Sequence, residues 1–181
     1  MRLIPLIFLI LFIGILIWIG AGLFRFSRYQ TFTPKAFLKK RGKASGRKVL
    51  VCMGDSITRG NVSANYVHIL SQRLFERDFI LVNAGINAEL TYNLLQRLDE
   101  IIACEPDYIT ILIGTNDADG TLSEATASRQ MRQMKLPQKS TSAWFESNLQ
   151  KIITELQTHT EAKIALLSIP PIGELNTLQA F

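Results

Sequence analysis

Three short polar motifs, each placed directly after an apolar run, hold the residues of this chain that could do chemistry. They read G-D-S-I-T at 54–58, N-A-G at 83–85 and G-T-N-D at 114–117. A serine hydroxyl can act as a nucleophile, and backbone N–H groups or an asparagine amide can stabilise the oxyanion that forms when an acyl group is transferred. These residue types therefore indicate a serine-dependent acyl-transfer site.

Each candidate residue also has a purely structural interpretation. Ser56 is the candidate nucleophile, because a hydroxyl between a buried strand and a helix meets free backbone N–H groups, but Asp55 or Ser56 could instead only cap the helix. Gly85 could bring its N–H close to a substrate oxygen, or it could be a turn glycine. Asn116 could donate through its amide, or it could form a cap with Asp117. We interpret Asp55 and Asp117 as structural hydrogen-bonding residues.

The apolar runs predict the elements that position these motifs. Residues 49–53 are all apolar, which is typical of a parallel strand buried on both faces. Three more strands alternate with three helices: strands at 79–82, 108–113 and 164–169, and helices at about 64–77, 90–104 and 144–159. Residues 118–140 are polar and are expected to be irregular. The alternation predicts a three-layer α/β fold of flavodoxin-like type with a parallel sheet in the order 2-1-3-4. The motifs would then meet at the carboxyl edge of the sheet, where ligands bind.

In this order and placement, the three motifs resemble blocks I, II and III of the SGNH (GDSL-type) hydrolase family of serine esterases, lipases and thioesterases. The resemblance covers residues 49 to about 174. It implies an acyl-serine intermediate on Ser56 and an oxyanion hole made by Ser56, Gly85 and Asn116. No metal-ligand spacing or dinucleotide fingerprint accompanies the motifs, so no metal or cofactor is expected.

The catalytic base of the resembled family has no counterpart in the sequence. The family supplies it from a D-x-x-H block that follows a fifth strand, whereas the chain has only two histidines, His68 and His159, and neither stands in such a motif. We therefore expect the domain at 49–181 to be truncated before that block, to lack the fifth strand and to have little esterase activity. The alternative is a non-catalytic, membrane-tethered binding module or pseudoenzyme.

The first 48 residues differ from the rest in charge and hydropathy. Residues 3–24 carry no charge, and a helix of that length reaches about 33 Å, so we predict a transmembrane anchor at 1–24. Residues 25–48 are rich in Lys and Arg and predict a basic juxtamembrane linker beside acidic lipid. The positive-inside rule places the globular part in the cytoplasm, with an extracytoplasmic location as the alternative.

Charge and cysteines narrow the classes of partner. Residues 1–48 hold ten Lys and Arg and no acid, while residues 49–181 hold ten Lys and Arg against fifteen Asp and Glu. The excess of basic residues thus lies in residues 1–48, beside the predicted membrane anchor. This position favours lipid head groups over nucleic acid as the partner of the basic residues. Cys52 and Cys104 are interpreted as small buried residues. The expected partners are an acyl-ester substrate, such as a lipid, an acylated glycan or a thioester, and membrane lipid.

Overall fold

The structure is a computed structural model that describes residues 12–15, 31–40 and 46–170. The chain divides into two compact units, Met1–Gln30 and Thr31–Phe181. In the first unit, the described residues 12–15 are helical and exposed. All of the site residues predicted above lie in the second unit, which is an α/β domain.

A parallel sheet is the centre of the second unit. β1 (Lys48–Gly54) lies between β2 (Phe79–Gly85) and β3 (Tyr108–Leu112), and β4 (Lys163–Leu166) pairs with β3. All of these pairings are parallel, and the order of the strands is β2-β1-β3-β4. The predicted strand order 2-1-3-4 is confirmed for these four strands.

Helices follow each of the first three strands, and one more precedes the sheet. In the described part of the chain they are α1 (Pro34–Lys39), α2 (Ser56–Arg59), α3 (Tyr66–Leu74), α4 (Thr91–Leu95), α5 (Leu98–Ile102), α6 (Thr115–Leu122), α7 (Glu124–Met134) and α8 (Ser142–His159). A 3₁₀ turn, Phe75–Arg77, extends α3. Polar side chains cap several of these helices: Asn65 accepts the N–H of His68 at 2.9 Å, and Thr141 accepts the N–H of Trp144 at 3.2 Å.

Two predictions about these helices are wrong. The helix expected at 90–104 is divided into α4 and α5, because the backbone leaves helical geometry at Arg97, whose φ is −130°. The segment 118–140, expected to be irregular, holds most of α6 and all of α7. That segment lacks a continuous apolar face, and it forms helix because Ser123 caps α7 and the buried Ala127 and Gln130 pack inward.

The core explains why β1 is an unbroken apolar run. Val49, Val51 and Met53 point into one cluster, which also holds Ile152 of α8. Leu50 and Cys52 point into a second cluster on the other face of the sheet, with Val67 of α3 and Leu81 of β2. Alternate residues of β1 are thus buried against different helix layers, as a three-layer fold requires. Cys52 and Cys104 are both free and buried, as predicted.

The prediction of an N-terminal transmembrane helix is wrong as a statement about this structure. Crossing a bilayer takes about 20 helical residues, and none of the helices in the described ranges is both long and apolar enough. Of the predicted span 3–24, only residues 12–15 are described, and the remainder lies outside the described residues. The fold class is therefore corrected to a parallel α/β domain without the predicted transmembrane helix as far as the described residues extend, and the predicted location of that domain stays a prediction.

Part of the predicted linker packs on the edge of the sheet. Phe32 forms an isolated parallel bridge with Val82 of β2. Its N–H donates to the carbonyl of Leu81 at 3.1 Å, and its carbonyl accepts the N–H of Asn83 at 2.7 Å. Phe37 of α1 is only 3% exposed and belongs to the core. Residues 31–40 thus cover the outer edge of β2 and contribute to the stability of the domain.

Candidate active site

Ser56 is the first residue of a one-turn helix at the carboxyl end of β1. Asp55 caps this helix, since its Oδ1 accepts the N–H of Ile57 at 2.9 Å. Ser56 is half-buried, and its hydroxyl makes no hydrogen bond with the described residues. A buried cap therefore fixes the backbone of Ser56, while the hydroxyl stays available to a ligand in the crevice.

Gly85 ends β2 and lies directly against α2. Its N–H donates to Oδ1 of Asn83 at 3.0 Å, and the Asn83 amide donates to the carbonyl of Thr58 at 2.9 Å. A Cβ at position 85 would lie 2.3 Å from the backbone nitrogen of Arg59. The missing side chain of Gly85 thus allows α2 to pack closely on β2, and its N–H is already paired.

Ala88 presents a different backbone N–H in the loop between β2 and α4. This residue has φ 63°, a left-handed conformation that is uncommon for a residue with a Cβ. Ala88 is exposed, and its N–H donates to no acceptor among the described residues. Sequence reasoning missed this donor, because nothing in the identity of an alanine signals a left-handed backbone.

Asn116 lies in the first turn of α6, after β3. Its Nδ2 donates to the carbonyl of Glu89 at 2.9 Å and lies 3.5 Å from Oδ2 of Asp55. Nε2 of Gln130 donates to the carbonyl of Asn116 at 2.8 Å and so fixes its backbone. Asn116 thus contacts the cap of Ser56 and the loop after Gly85, and the three sequence motifs meet at one edge of the sheet.

Asp117 and Asp55 are buried acceptors that join neighbouring segments. Asp117 accepts the backbone N–H of Thr91 at 3.0 Å and its hydroxyl at 2.7 Å, which ties α6 to the start of α4. Burial raises the pKa of the Asp117 carboxyl, and the two bonds from Thr91 oppose that shift. Burial also raises the pKa of the Asp55 carboxyl, opposed chiefly by the Ile57 N–H.

An ion pair between Glu89 and Arg97 lies behind the same loop. Nε of Arg97 donates to Oε1 of Glu89 at 2.9 Å, and Nη2 donates to Oε2 at 2.6 Å. The same Nη2 donates to the carbonyl of Ala84 at 2.6 Å, and Nη1 donates to Glu100 at 2.8 Å. Glu89 is only 5% exposed, and its burial raises the pKa of its carboxyl against the opposing effect of Arg97. One guanidinium therefore joins Glu89, near the end of the loop, to Ala84, near the end of β2.

His159 lies at the opposite edge of the sheet from Ser56. It lines a cavity of about 440 Å³ together with Lys48, Tyr108 and Lys163, which are the first residues of β1, β3 and β4. At about 3.3 Å per residue, the length of β1 separates this edge from Ser56 by roughly 20 Å. His159 is therefore too far from Ser56 to accept its proton.

His68 lies in the first turn of α3 and pairs with a residue of the same helix. Its Nε2 is 3.1 Å from Nε2 of Gln72, one turn further along the helix. No hydrogen bond joins His68 to the three motifs within the described ranges. The same residues also contain no group of three or more His, Cys, Asp or Glu side chains that could hold a metal ion.

The GDSL-like Lipase/Acylhydrolase family model matches residues 52–180 of the sequence. The chain belongs to this family. The resemblance inferred from the three motifs is thus confirmed, and the match covers Ser56, Gly85 and Asn116. No curated protein matches the sequence significantly.

Several solved structures share the fold of this GDSL-family chain. The acetyl xylan esterase Axe2 from Geobacillus stearothermophilus is 22% identical with a TM-score of 0.53, over 66% of this chain and 58% of that one. The SGNH-hydrolase family esterase AlinE4 is 24% identical with a TM-score of 0.52, over 69% and 61%. The acetyl xylan esterase AlAXEase is 24% identical with a TM-score of 0.52, over 65% and 56%. This chain therefore spans less than two thirds of the length of each.

Two further structures of the Geobacillus esterase are described as catalytic mutants. One carries alanine in place of a histidine, and the other carries alanine in place of an aspartate three positions earlier. The spacing of those two positions is that of a D-x-x-H motif. In this GDSL-family chain, neither histidine has an aspartate three positions before it, since Asn65 precedes His68 and Leu156 precedes His159.

Proposed function

We propose that the protein is a serine esterase in which the Ser56 hydroxyl attacks the carbonyl carbon of an acyl ester. The alcohol leaves, the acyl group stays on Ser56, and water then releases it as a carboxylic acid. The observation that carries the proposal, in a chain of the GDSL-like family, is the contact at 3.5 Å between the amide of Asn116 and Asp55, the residue directly before Ser56. The unpaired hydroxyl of Ser56 supports this role further.

The oxyanion of the tetrahedral intermediate needs two or three aligned donors. We propose the backbone N–H of Ser56 and Nδ2 of Asn116, whose contact with Asp55 is long enough, at 3.5 Å, to be exchanged for a substrate oxygen. For the third donor we propose the exposed N–H of Ala88, which has no acceptor among the described residues, in place of that of Gly85, which already donates to Asn83. Gly85 then serves by letting α2 approach β2.

The base that accepts the proton of Ser56 is not one of the two histidines. His159 lies at the far edge of the sheet, and His68 pairs with Gln72. We propose that the residues of this chain alone give slow turnover, because loss of the base leaves about 10³- to 10⁴-fold acceleration over water from the oxyanion hole and binding. The same observation favours a second candidate function, a non-catalytic module that binds esters in the crevice.

For the substrate we propose a short acyl ester of a glycan. Two of the solved proteins with this fold are acetyl xylan esterases, at 24% and 22% identity. They support the choice of an acylated glycan from the three substrate classes that the sequence leaves open, which are lipids, acylated glycans and thioesters. Competition assays should therefore show faster turnover of an acetylated xylo-oligosaccharide than of a long-chain lipid ester or an acyl thioester. Faster turnover of the lipid ester would contradict this choice.

The experiment that tests the esterase proposal is labelling with a fluorophosphonate, with and without free imidazole as an external base. We expect imidazole to speed labelling, and mass spectrometry should find the adduct on Ser56. Ser56→Ala should abolish it, while Ser63→Ala, which changes an exposed serine in the next loop, should not. Absence of a Ser56 adduct at saturating probe and imidazole would favour the binding module.

A further inference from the structure

The loop 85–90 would present backbone donors to the substrate, and a single guanidinium holds both of its ends. At one end, Nη2 of Arg97 donates to the carbonyl of Ala84 at 2.6 Å. At the other end, Nε and Nη2 donate to the two carboxylate oxygens of Glu89 at 2.9 and 2.6 Å. Arg97 stands at the break between α4 and α5, where the backbone leaves helical geometry.

We propose that Arg97 is a positioning residue for the oxyanion hole, an inference that rests on the proposed esterase function. Arg97 itself would not touch the substrate. It acts through Glu89, whose carbonyl accepts the amide of Asn116 at 2.9 Å and whose neighbour Ala88 presents the unpaired N–H. A displacement of Glu89 therefore moves two donors of the oxyanion hole together.

Burial makes this displacement the expected response to the loss of Arg97. The side chain of Glu89 is only 6% exposed, and that of Arg97 is 14% exposed. A buried carboxylate without its partner is strongly unfavourable, so it takes up a proton or turns towards water. Either change removes the restraint on the backbone of residue 89, to which Asn116 is attached.

The geometry also requires arginine at this position in particular. The guanidinium donates to three separate acceptors, which are the Ala84 carbonyl and the carboxylates of Glu89 and Glu100. Lysine offers a point charge on a flexible stem and cannot hold these acceptors in one plane. Arg97→Lys would therefore keep the charge while losing the alignment, which separates positioning from simple charge compensation.

The first test needs no activity and measures hydrogen–deuterium exchange in the full chain. The N–H of Glu89 donates to Ile86 at 3.5 Å, and that of Leu90 donates to Asn93 at 3.3 Å, so both amides report on the loop. We expect Arg97→Met to raise their exchange rates about tenfold. Arg97→Lys should give a smaller rise.

The matched control is Arg47→Met. Arg47 is also a partly buried arginine that donates to a β2 carbonyl, that of Phe79 at 2.6 Å, but it lies at the amino end of the strand. This variant should leave exchange of the Glu89 and Leu90 amides unchanged. Unaltered exchange in Arg97→Met, or an equal rise in Arg47→Met, would overturn the proposal.

The second test follows the labelling of Ser56 by the fluorophosphonate as a function of probe concentration. Because a misplacement of about 1 Å can cost about 10²-fold in rate, we expect Arg97→Met to lower the maximal rate by that factor. The half-saturating concentration should change less than threefold, and Arg97→Lys should fail to restore the rate.

Combination with Asn116→Ala shows whether Arg97 acts through the oxyanion hole. If it does, Arg97→Met should cost less in Asn116→Ala than in the unaltered chain, because only the Ala88 N–H is then left to be displaced. A full additional loss would mean that Arg97 acts elsewhere and would overturn the proposal. If the unaltered chain gives no adduct on Ser56, the proposed function fails, and the exchange measurement still decides whether Arg97 holds the loop.

Discussion

Gly85→Ala should weaken the domain and slow the reaction of Ser56, although the variant keeps every backbone N–H. The added Cβ would lie 2.3 Å from the backbone nitrogen of Arg59, where ordinary contact begins at 3.4 Å. The second-nearest atom, at 2.7 Å, is the carbonyl carbon of Thr58, so both obstacles are main-chain atoms that cannot rotate away. Helix α2 must therefore move outward by about 1 Å, and Ser56 moves with it.

The size of both effects follows from this displacement. Overpacking of this kind costs about 1–3 kcal/mol, and each kcal/mol lowers Tm by about 2–4 °C in a domain of this size, so we expect a fall of about 2–12 °C. A shift of about 1 Å at the nucleophile should slow labelling of Ser56 about 10²-fold.

Thermal unfolding and fluorophosphonate labelling measure these two effects separately. Gly46→Ala is the matched control, because its Cβ would meet nothing within 4 Å and its φ of 68° adds only backbone strain. That variant should lose stability and keep the labelling rate. If Gly85→Ala kept both its Tm and its labelling rate, the close packing of α2 on β2 would not be the reason that position 85 needs glycine. The first interpretation of Gly85, as a donor of its backbone N–H to the substrate, would then be preferred.

Three further predictions concern other residues of the site. Ala88→Gly relieves left-handed strain of about 1–2 kcal/mol, less about 0.5–1 kcal/mol for the flexibility of glycine. Tm should therefore rise by up to about 6 °C while labelling stays within twofold, and a fall in Tm would contradict the strain. Burial raises the folded-state pKa of the Asp117 carboxyl above its ordinary value, so its stabilising contribution is present at low pH and is lost as pH rises through that raised pKa. Urea unfolding of Asp117→Asn should therefore depend less on pH between 4 and 7 than that of the unaltered chain, and a steeper dependence would refute the sign. His68→Ala and His159→Ala should each leave labelling of Ser56 within twofold, and a tenfold loss in either would identify the base.

The sheet could be predicted because a strand buried on both faces appears in the sequence as a continuous apolar run. The apolar run 49–53 indicated a central strand, and in the structure its alternate residues enter two different clusters. The helices were harder to delimit. Arg97 interrupts one apolar face without a proline or glycine to signal the break, and α7 carries so few apolar residues that its pattern resembled a loop. Local propensity does not contain the long-range contacts that decide such cases.

The predictable part of the site is the part made by side chains. Ser56 and Asn116 could be proposed because a hydroxyl and an amide have recognisable chemistry, and the structure brings both to one edge of the sheet; their roles stay predictions. The backbone part could not be read in the same way. Gly85 was chosen for its missing side chain, yet that absence serves the packing of α2. The unpaired N–H belongs to Ala88, whose conformation only the folded loop determines.

The pairing of the buried groups explains how the crevice can be formed before a substrate arrives. Asp55, Glu89 and Asp117 accept hydrogen bonds from Asn116, Arg97 and Thr91, so the loops that carry the candidate donors are fixed without a ligand. In the described part of the chain, the hydroxyl of Ser56 and the N–H of Ala88 have no protein partner, and water can satisfy both until an ester displaces it. Because these groups need no reorganisation, the oxyanion hole should function whether or not a base is present. An external base should therefore accelerate the reaction of Ser56, and it should do so by the same factor in Asn116→Ala as in the unaltered chain.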